Sequence, residues 1–157
     1  MRITNNLIRR TIMITDYIPL QLRTDKECQA TKYFYVRKAD SSLLEIAFDS
    51  SDLTICRITL LLCEKFQKID EDYIAPENVF KGDILIDTSC EIESPILNCK
   101  IYRNAVKIEV SGEKTCKVVS TGNVIWELSE DGNFVSLCVI DPSGMASEHC
   151  LNELSGD

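Results

Sequence analysis

The sequence predicts a mainly β fold of the α+β class, an antiparallel meander that closes as a sandwich or a strongly twisted sheet and ends in a short C-terminal helix. Three observations predict it. In "LLEIAFD" (43–49), Leu44, Ile46 and Phe48 alternate with Glu45 and Ala47, which places three apolar side chains on one face of a strand. After residue 82, short apolar runs are separated by turn residues at close intervals. In "DPSGMASEHCLNEL" the alternation stops, and Ala146, Cys150 and Leu154 recur at four-residue spacing as one apolar stripe of a helix.

Taken in order, "LIRRTIMIT" (7–15) is the least regular strand candidate, and "KYFYVRK" (32–38) is an aromatic and β-branched run of the kind strands favour. "LLEIAFD", the turn "SSD" and "LTICRITLLLC" form a hairpin. Its second strand carries Cys56, Ile58, Leu60 and Leu62 on one face and Ile55, Arg57, Thr59 and Leu61 on the other, so it reads as central. The segment "EKFQKIDEDYIAPENVFKGD" (64–83) lacks alternation. Phe66, Ile69 and Tyr73 have helical spacing, and Pro76 limits any helix there to about two turns. "DILIDTS" is a strand; "LNCKIYRNAVKIEVSG" is a hairpin turning at Arg103-Asn104; "KTCKVVSTGNVIWEL" is another, turning near Thr121-Gly122-Asn123. "SEDGN" turns the chain into "FVSLCVI", with Asp131-Gly132 supplying residues that adopt positive φ at least cost. Asp141 is the expected N-cap of the final helix and Pro142 its first residue, with Gly144 weakening the first turn.

At 157 residues the chain fits a single domain, 1–157, and a domain of that size buries roughly 70% of the surface its unfolded chain exposes, so neither metal nor disulfide is needed for a core. No internal repeat or domain boundary is visible. Arg9, Arg10 and Asp16 interrupt the first apolar residues, against the uninterrupted stretch of about 7–15 that a signal peptide needs. No run approaches the roughly 18 apolar residues of a membrane span. The expected location is the cytoplasm, without membrane association. The eight cysteines lack a C-x2-4-C knuckle and the one histidine is His149, so no metal site is expected; the thiols are expected to be free, most of them acting as small hydrophobes in strands. Net charge is −8, yet residues 1–38 hold 8 Lys or Arg against 3 Asp or Glu, and no basic side chain follows Lys117. Such a balance disfavours nucleic acid and favours a basic partner.

Little in the chain carries chemistry. His149 lies beside Cys150 and near Ser147, but helix neighbours point in different directions and make no dyad, so a helix-surface histidine is expected. Glu91 and Glu93 read as alternating solvent-facing strand residues rather than a glycosidase pair. No phosphate loop, H-E-x-x-H or EF-hand pattern occurs. Tyr33 and Tyr35, among basic residues, are the only candidates for base stacking, and their expected place is the core. The expectation is a protein without enzymatic activity or cofactor.

One resemblance adds to this. Leu44, Glu45, Ile46, Phe48 and Asp49, a short turn, then Ile58, Thr59, Leu60 and Cys63, together with "NVIWELSEDGNFVSLCVIDPS" and an acidic C-terminal helix, resemble the small β-rich immunity proteins encoded beside contact-dependent growth inhibition and other polymorphic toxins. The resemblance covers about a third of the chain and brings no functional residue with it. It implies a cytoplasmic monomer that binds the C-terminal domain of one cognate toxin, a basic nuclease being the partner that suits the acidic charge. The alternative is a β-sandwich module binding another protein or a small ligand, with a small enzyme third. The expected toxin-binding residues lie in the 64–83 segment: Asp70, Glu71 and Asp72 in a row, Tyr73 as an aromatic anchor, and Glu77 beyond Pro76.

Overall fold

The computed structural model describes residues 1–156, which form β1 (Arg2–Thr4), β2 (Thr11–Thr15), β3 (Ile18–Arg23), β4 (Thr31–Lys38), β5 (Ser42–Asp49), β6 (Ile55–Leu62), β7 (Phe66–Lys68), β8 (Phe80–Lys81), β9 (Asp83–Leu85), β10 (Cys90–Glu93), β11 (Asn98–Ile101), β12 (Ala105–Glu109), β13 (Lys117–Thr121), β14 (Val124–Leu128), β15 (Phe134–Ile140) and α1 (Met145–Ser155). Alternation in these strands puts one apolar row on the inner face of each of two large sheets. The first runs β10-β4-β5-β6-β3-β2 and the second β7-β11-β12-β15-β14-β13-β8; a ribbon of β1 and β9 is the third sheet. Leu22, Val36, Leu44, Ile46 and Ile58 from the first meet Ile101, Ile108, Val119, Trp126 and Leu137 from the second in one continuous core. Fully burying each such side chain contributes about 1.5–3 kcal/mol.

The predicted hairpins form in register. β5 and β6 pair antiparallel, with Ile46 opposite Ile58 and Leu44 opposite Leu60. The β11–β12 turn falls at Tyr102–Asn104, and Thr121 faces Val124 across the β13–β14 turn, where Gly122 has φ 56°. α1 packs against β2 and β3 of one sheet and β11 and β12 of the other, with Ala146 and Cys150 buried beneath it.

Several expectations are corrected. The helix starts at Met145, three residues later than expected, because Gly144 takes the N-cap position at φ 77°. Asp141 still braces the start, accepting hydrogen bonds from the Ala146 amide at 2.8 Å and the Ser143 hydroxyl at 2.7 Å. β3, unmarked in the sequence reading, is a full strand between β2 and β6. The 64–83 segment holds no helix: Phe66 lies in β7, and residues 69–79 form bends with no regular element. The sheets are not wholly antiparallel, since β10, β7 and β8 each add to an edge in parallel. Hairpin logic does not reach such strands, because a parallel neighbour arrives by a long excursion.

The cysteines also differ from expectation. Cys28, in the β3–β4 loop, is bonded to Cys56 on β6 across 28 residues of sequence. The loop folds back over β3 and β6, a tertiary approach that spacing does not encode. Six thiols are free, with Cys63, Cys99, Cys138 and Cys150 buried. Burial pushes Cys63 up to about 11 and Cys138 to about 12, and Cys99 rises through its contact with Cys150 and its burial. The scarcity of thiolate leaves these groups unreactive near neutral pH.

Among the described residues, one ion pair is fully buried. Arg10, from the β1–β2 loop, donates to both Asp83 carboxylate oxygens at 3.2 and 2.6 Å and to the Ile55 carbonyl at 3.1 Å. Trp126 Nε1 donates to the same carboxylate at 3.2 Å. Both charged side chains are fully buried, so the network ties the ribbon to both sheets.

Candidate functional site

β7 and β8 lie on opposite edges of the seven-stranded sheet, so residues 69–79 between them cross its outer face as a strap. The strap is pinned along its first half. Ile69 N–H donates to the Ile101 carbonyl at 2.8 Å, and Arg103 N–H donates to the Glu71 carbonyl at 3.1 Å. Asn104, in the β11–β12 turn, accepts from Tyr73 N–H at 2.7 Å and donates its amide back to the Tyr73 carbonyl at 3.4 Å. These contacts replace the ladder that an extended segment lying on a sheet face otherwise lacks.

Under the strap, Tyr73 packs edge-on against Tyr102 with centroids 5.4 Å apart, and over the buried Ala105, Ile125 and Cys138. Burial raises its phenol above the ordinary tyrosine range, and contact with Cys138 adds to the rise. Beside this apolar bed, Glu127 meets Lys107 at 3.1 Å and accepts from the Thr115 hydroxyl at 2.6 Å. Burial pushes the Glu127 carboxyl up, but Thr115 and Lys107 together outweigh it, and the net shift is downward.

Of the five predicted contact residues, Tyr73 thus turns inward as the brace of the strap, while Asp70, Glu71, Asp72 and Glu77 are exposed. Lys68 approaches Asp70 at 3.6 Å; Glu71, Asp72 and Glu77 form no ion pair among the described residues. The exposed apolar group is the next residue, Ile74, at 88% exposure. A notch of about 240 Å³ opens where the strap begins, between Ile69, Tyr102 and Leu151, with Glu148 of α1 at its rim. Pro76 and the recurring polar residues marked this segment as a loop; its route across a sheet, and hence which side chain faces in, depends on pairing partners far away in sequence.

No protein-family model and no curated protein sequence matches this chain.

Elsewhere the side chains singled out by sequence take other places. Tyr33 and Tyr35 do not enter the core: Phe34 and Val36 do, and the two tyrosines stack at 5.6 Å on the outer face of the six-stranded sheet. Alternation explains the correction, since three aromatics in a row cannot share one face. There Arg57 meets Glu45 at 3.3 Å. His149 is half-buried, and its Nε2–H donates to the carbonyls of Thr15 at 3.0 Å and Ile18 at 2.9 Å, clasping the β2–β3 turn to the helix. It faces no thiol. Among the described residues, no three His, Cys, Asp or Glu side chains gather closely enough to hold a metal ion. No helix among them is long and apolar enough to cross a membrane.

Proposed function

We propose that this protein is a monomeric, non-enzymatic immunity protein that binds and neutralises a cognate bacterial toxin domain, a basic nuclease, through the acidic strap. The observation that carries the reading is the pinned segment itself. Two free carboxylates, Glu71 and Asp72, and the 88% exposed Ile74 stand on or directly beside the stretch of backbone that Asn104 and Tyr73 hold in place. A pre-ordered acidic surface with one apolar anchor suits a basic protein: charge at the rim sets association rate, and a desolvated apolar side chain near the centre sets dissociation. His149, engaged with two carbonyls, has no catalytic partner in this reading.

The experiment is co-expression with the product of the reading frame immediately upstream of the gene. Wild type and His149→Ala should restore growth, whereas the triple variant Asp70→Lys/Glu71→Lys/Asp72→Lys should lose protection while remaining folded. Ile74→Ala should speed dissociation. Unchanged protection by both strap variants would move the interface elsewhere.

The cytoplasm is the location proposed with this role, and the bridge bears on it. Disulfides persist in oxidising surroundings and are rare in the cytosol. In native cells quenched with iodoacetamide, the cytoplasmic reading requires Cys28 and Cys56 to be reduced and labelled; finding them bridged, as they are in the structure, would place the protein in an oxidising compartment.

A second reading, a sandwich module for a small ligand, is favoured by a cleft at one end of the sandwich.

A further inference from the structure

The bonded pair Cys28 and Cys56 differs from the four buried thiols in its surroundings. Both residues are half-buried, and both line a cleft of about 610 Å³ on the outer face of the six-stranded sheet, beside the β3–β4 loop. The loop is also held by contacts that do not involve sulfur. Thr24 N–H donates to the carbonyl of Cys56 itself at 2.9 Å, and Gln29 N–H donates to the Asp49 carboxylate at 3.0 Å. Asp49, kept at about 2 by the Ser51 and Gln29 donors, stays charged and goes on accepting at neutral pH. Cys28 therefore sits between two anchors, one of them on its own partner residue. With the sulfur–sulfur bond cut, the anchors keep the two sulfurs neighbours, so closing the bond again is an intramolecular step at high effective concentration.

We infer that Cys28 and Cys56 are a reversible thiol–disulfide site whose co-reactant is a low-molecular-weight disulfide. The Cys28 thiolate, on the loop, attacks one sulfur of the small disulfide; that S–S bond breaks and one small thiolate leaves. The Cys56 thiolate then attacks the Cys28 sulfur of the mixed disulfide, and the second small thiolate leaves. In sum the two protein thiols give up two electrons and two protons, the small disulfide becomes two small thiols, and an excess of small thiol runs the exchange backwards. Bridged, the loop is fixed beside the cleft. Open, its hold between the anchors is Lys26, whose ammonium meets Asp52 at 3.0 Å and whose carbonyl accepts from the Thr24 hydroxyl at 2.8 Å. The inference goes beyond the toxin-binding reading and shares no residue with the strap, so either can fail alone.

The test equilibrates the folded protein in glutathione buffers of stepped redox ratio, quenches with iodoacetamide and reads the bridge by peptide mass spectrometry. Millimolar reduced glutathione should open it without denaturant, with the label gained on opening confined to Cys28 and Cys56. Oxidised glutathione should close it again. Amides 25–28 should exchange with deuterium roughly tenfold faster in the open form, while β3 to β6 keep their protection. Cys56→Ser should leave glutathione trapped on Cys28, the intermediate of the exchange. Opening only after denaturation, label gained equally on Cys63, Cys99, Cys138 and Cys150, failure of oxidised glutathione to restore the bridge, or identical amide exchange in the two forms would overturn the assignment.

Discussion

Asp83 accepts hydrogen bonds from Arg10 and Trp126 while Arg10 reaches the Ile55 carbonyl, so a single carboxylate joins the β1–β9 ribbon to both sheets. Removing one partner of a buried pair leaves the other charge uncompensated, at a cost of roughly 3–5 kcal/mol, whereas an apolar replacement of both is far less damaging. Asp83→Asn and Arg10→Met should each lower the unfolding free energy from urea titration by that amount, and Arg10→Met/Asp83→Leu should cost less than the two singles together. Asp49 is a different case. Ser51 donates to it through hydroxyl and amide at 2.6 and 2.9 Å, and Gln29 N–H at 3.0 Å, holding its carboxyl at about 2 against an ordinary 3.8. Between those values the unfolded chain binds the proton and the folded one does not, so stability from Asp49 is full above about pH 4 and is lost as pH falls towards 2. Denaturation series between pH 5 and 2 should fall less steeply for Asp49→Asn than for wild type.

At the scale of elements, legibility followed locality. β5, β6, β11, β12 and β13 to β15 were readable because alternation and a turn lie within a few residues of each other, and the backbone pairs nearest neighbours there. β7 and β8 were not, because two or three residues gain strand geometry only from a distant edge, and β10 showed its alternation at Glu91 and Glu93 but not its parallel partner β4. The same division applies to the site: the acidic run was visible, but Tyr73 facing inward and Ile74 outward follows from Asn104 and Tyr102, thirty residues on. Gly82 is the sharpest case, since nothing in the sequence around it marks it. It joins β8 to β9 so closely that an added Cβ falls 2.1 Å from the Thr4 carbonyl oxygen, which is backbone and has nowhere to go without moving β1. Gly82→Ala should therefore destabilise by at least the roughly 1–3 kcal/mol of ordinary overpacking. Loss of β1–β9 amide protection ahead of the rest would locate the damage, and an unchanged unfolding midpoint would contradict the close approach.

At the scale of the whole molecule, charge is divided between the sheets. The basic first 38 residues supply β2, β3 and β4, while the acidic strap crosses the outer face of the other sheet. Arg23 and Lys32 are exposed and form no ion pair among the described residues. Two mechanisms for attracting a basic partner then separate. If net charge does the work, any added negative charge speeds association; if the strap does, only local charge counts. The Debye length decides where to look, being about 8 Å at 0.15 M salt and about 30 Å at 0.01 M. At 0.15 M, Arg23→Glu/Lys32→Glu should leave the association rate with the proposed toxin partner within about twofold of wild type, while Asp70→Lys/Glu71→Lys/Asp72→Lys slows it by roughly tenfold or more. At 0.01 M the screening lifts, and Arg23→Glu/Lys32→Glu should accelerate binding because the far face is then felt. Stopped-flow rates at the two salt concentrations make the comparison, and equal sensitivity to both faces at 0.15 M would mean that the strap is not where the partner lands.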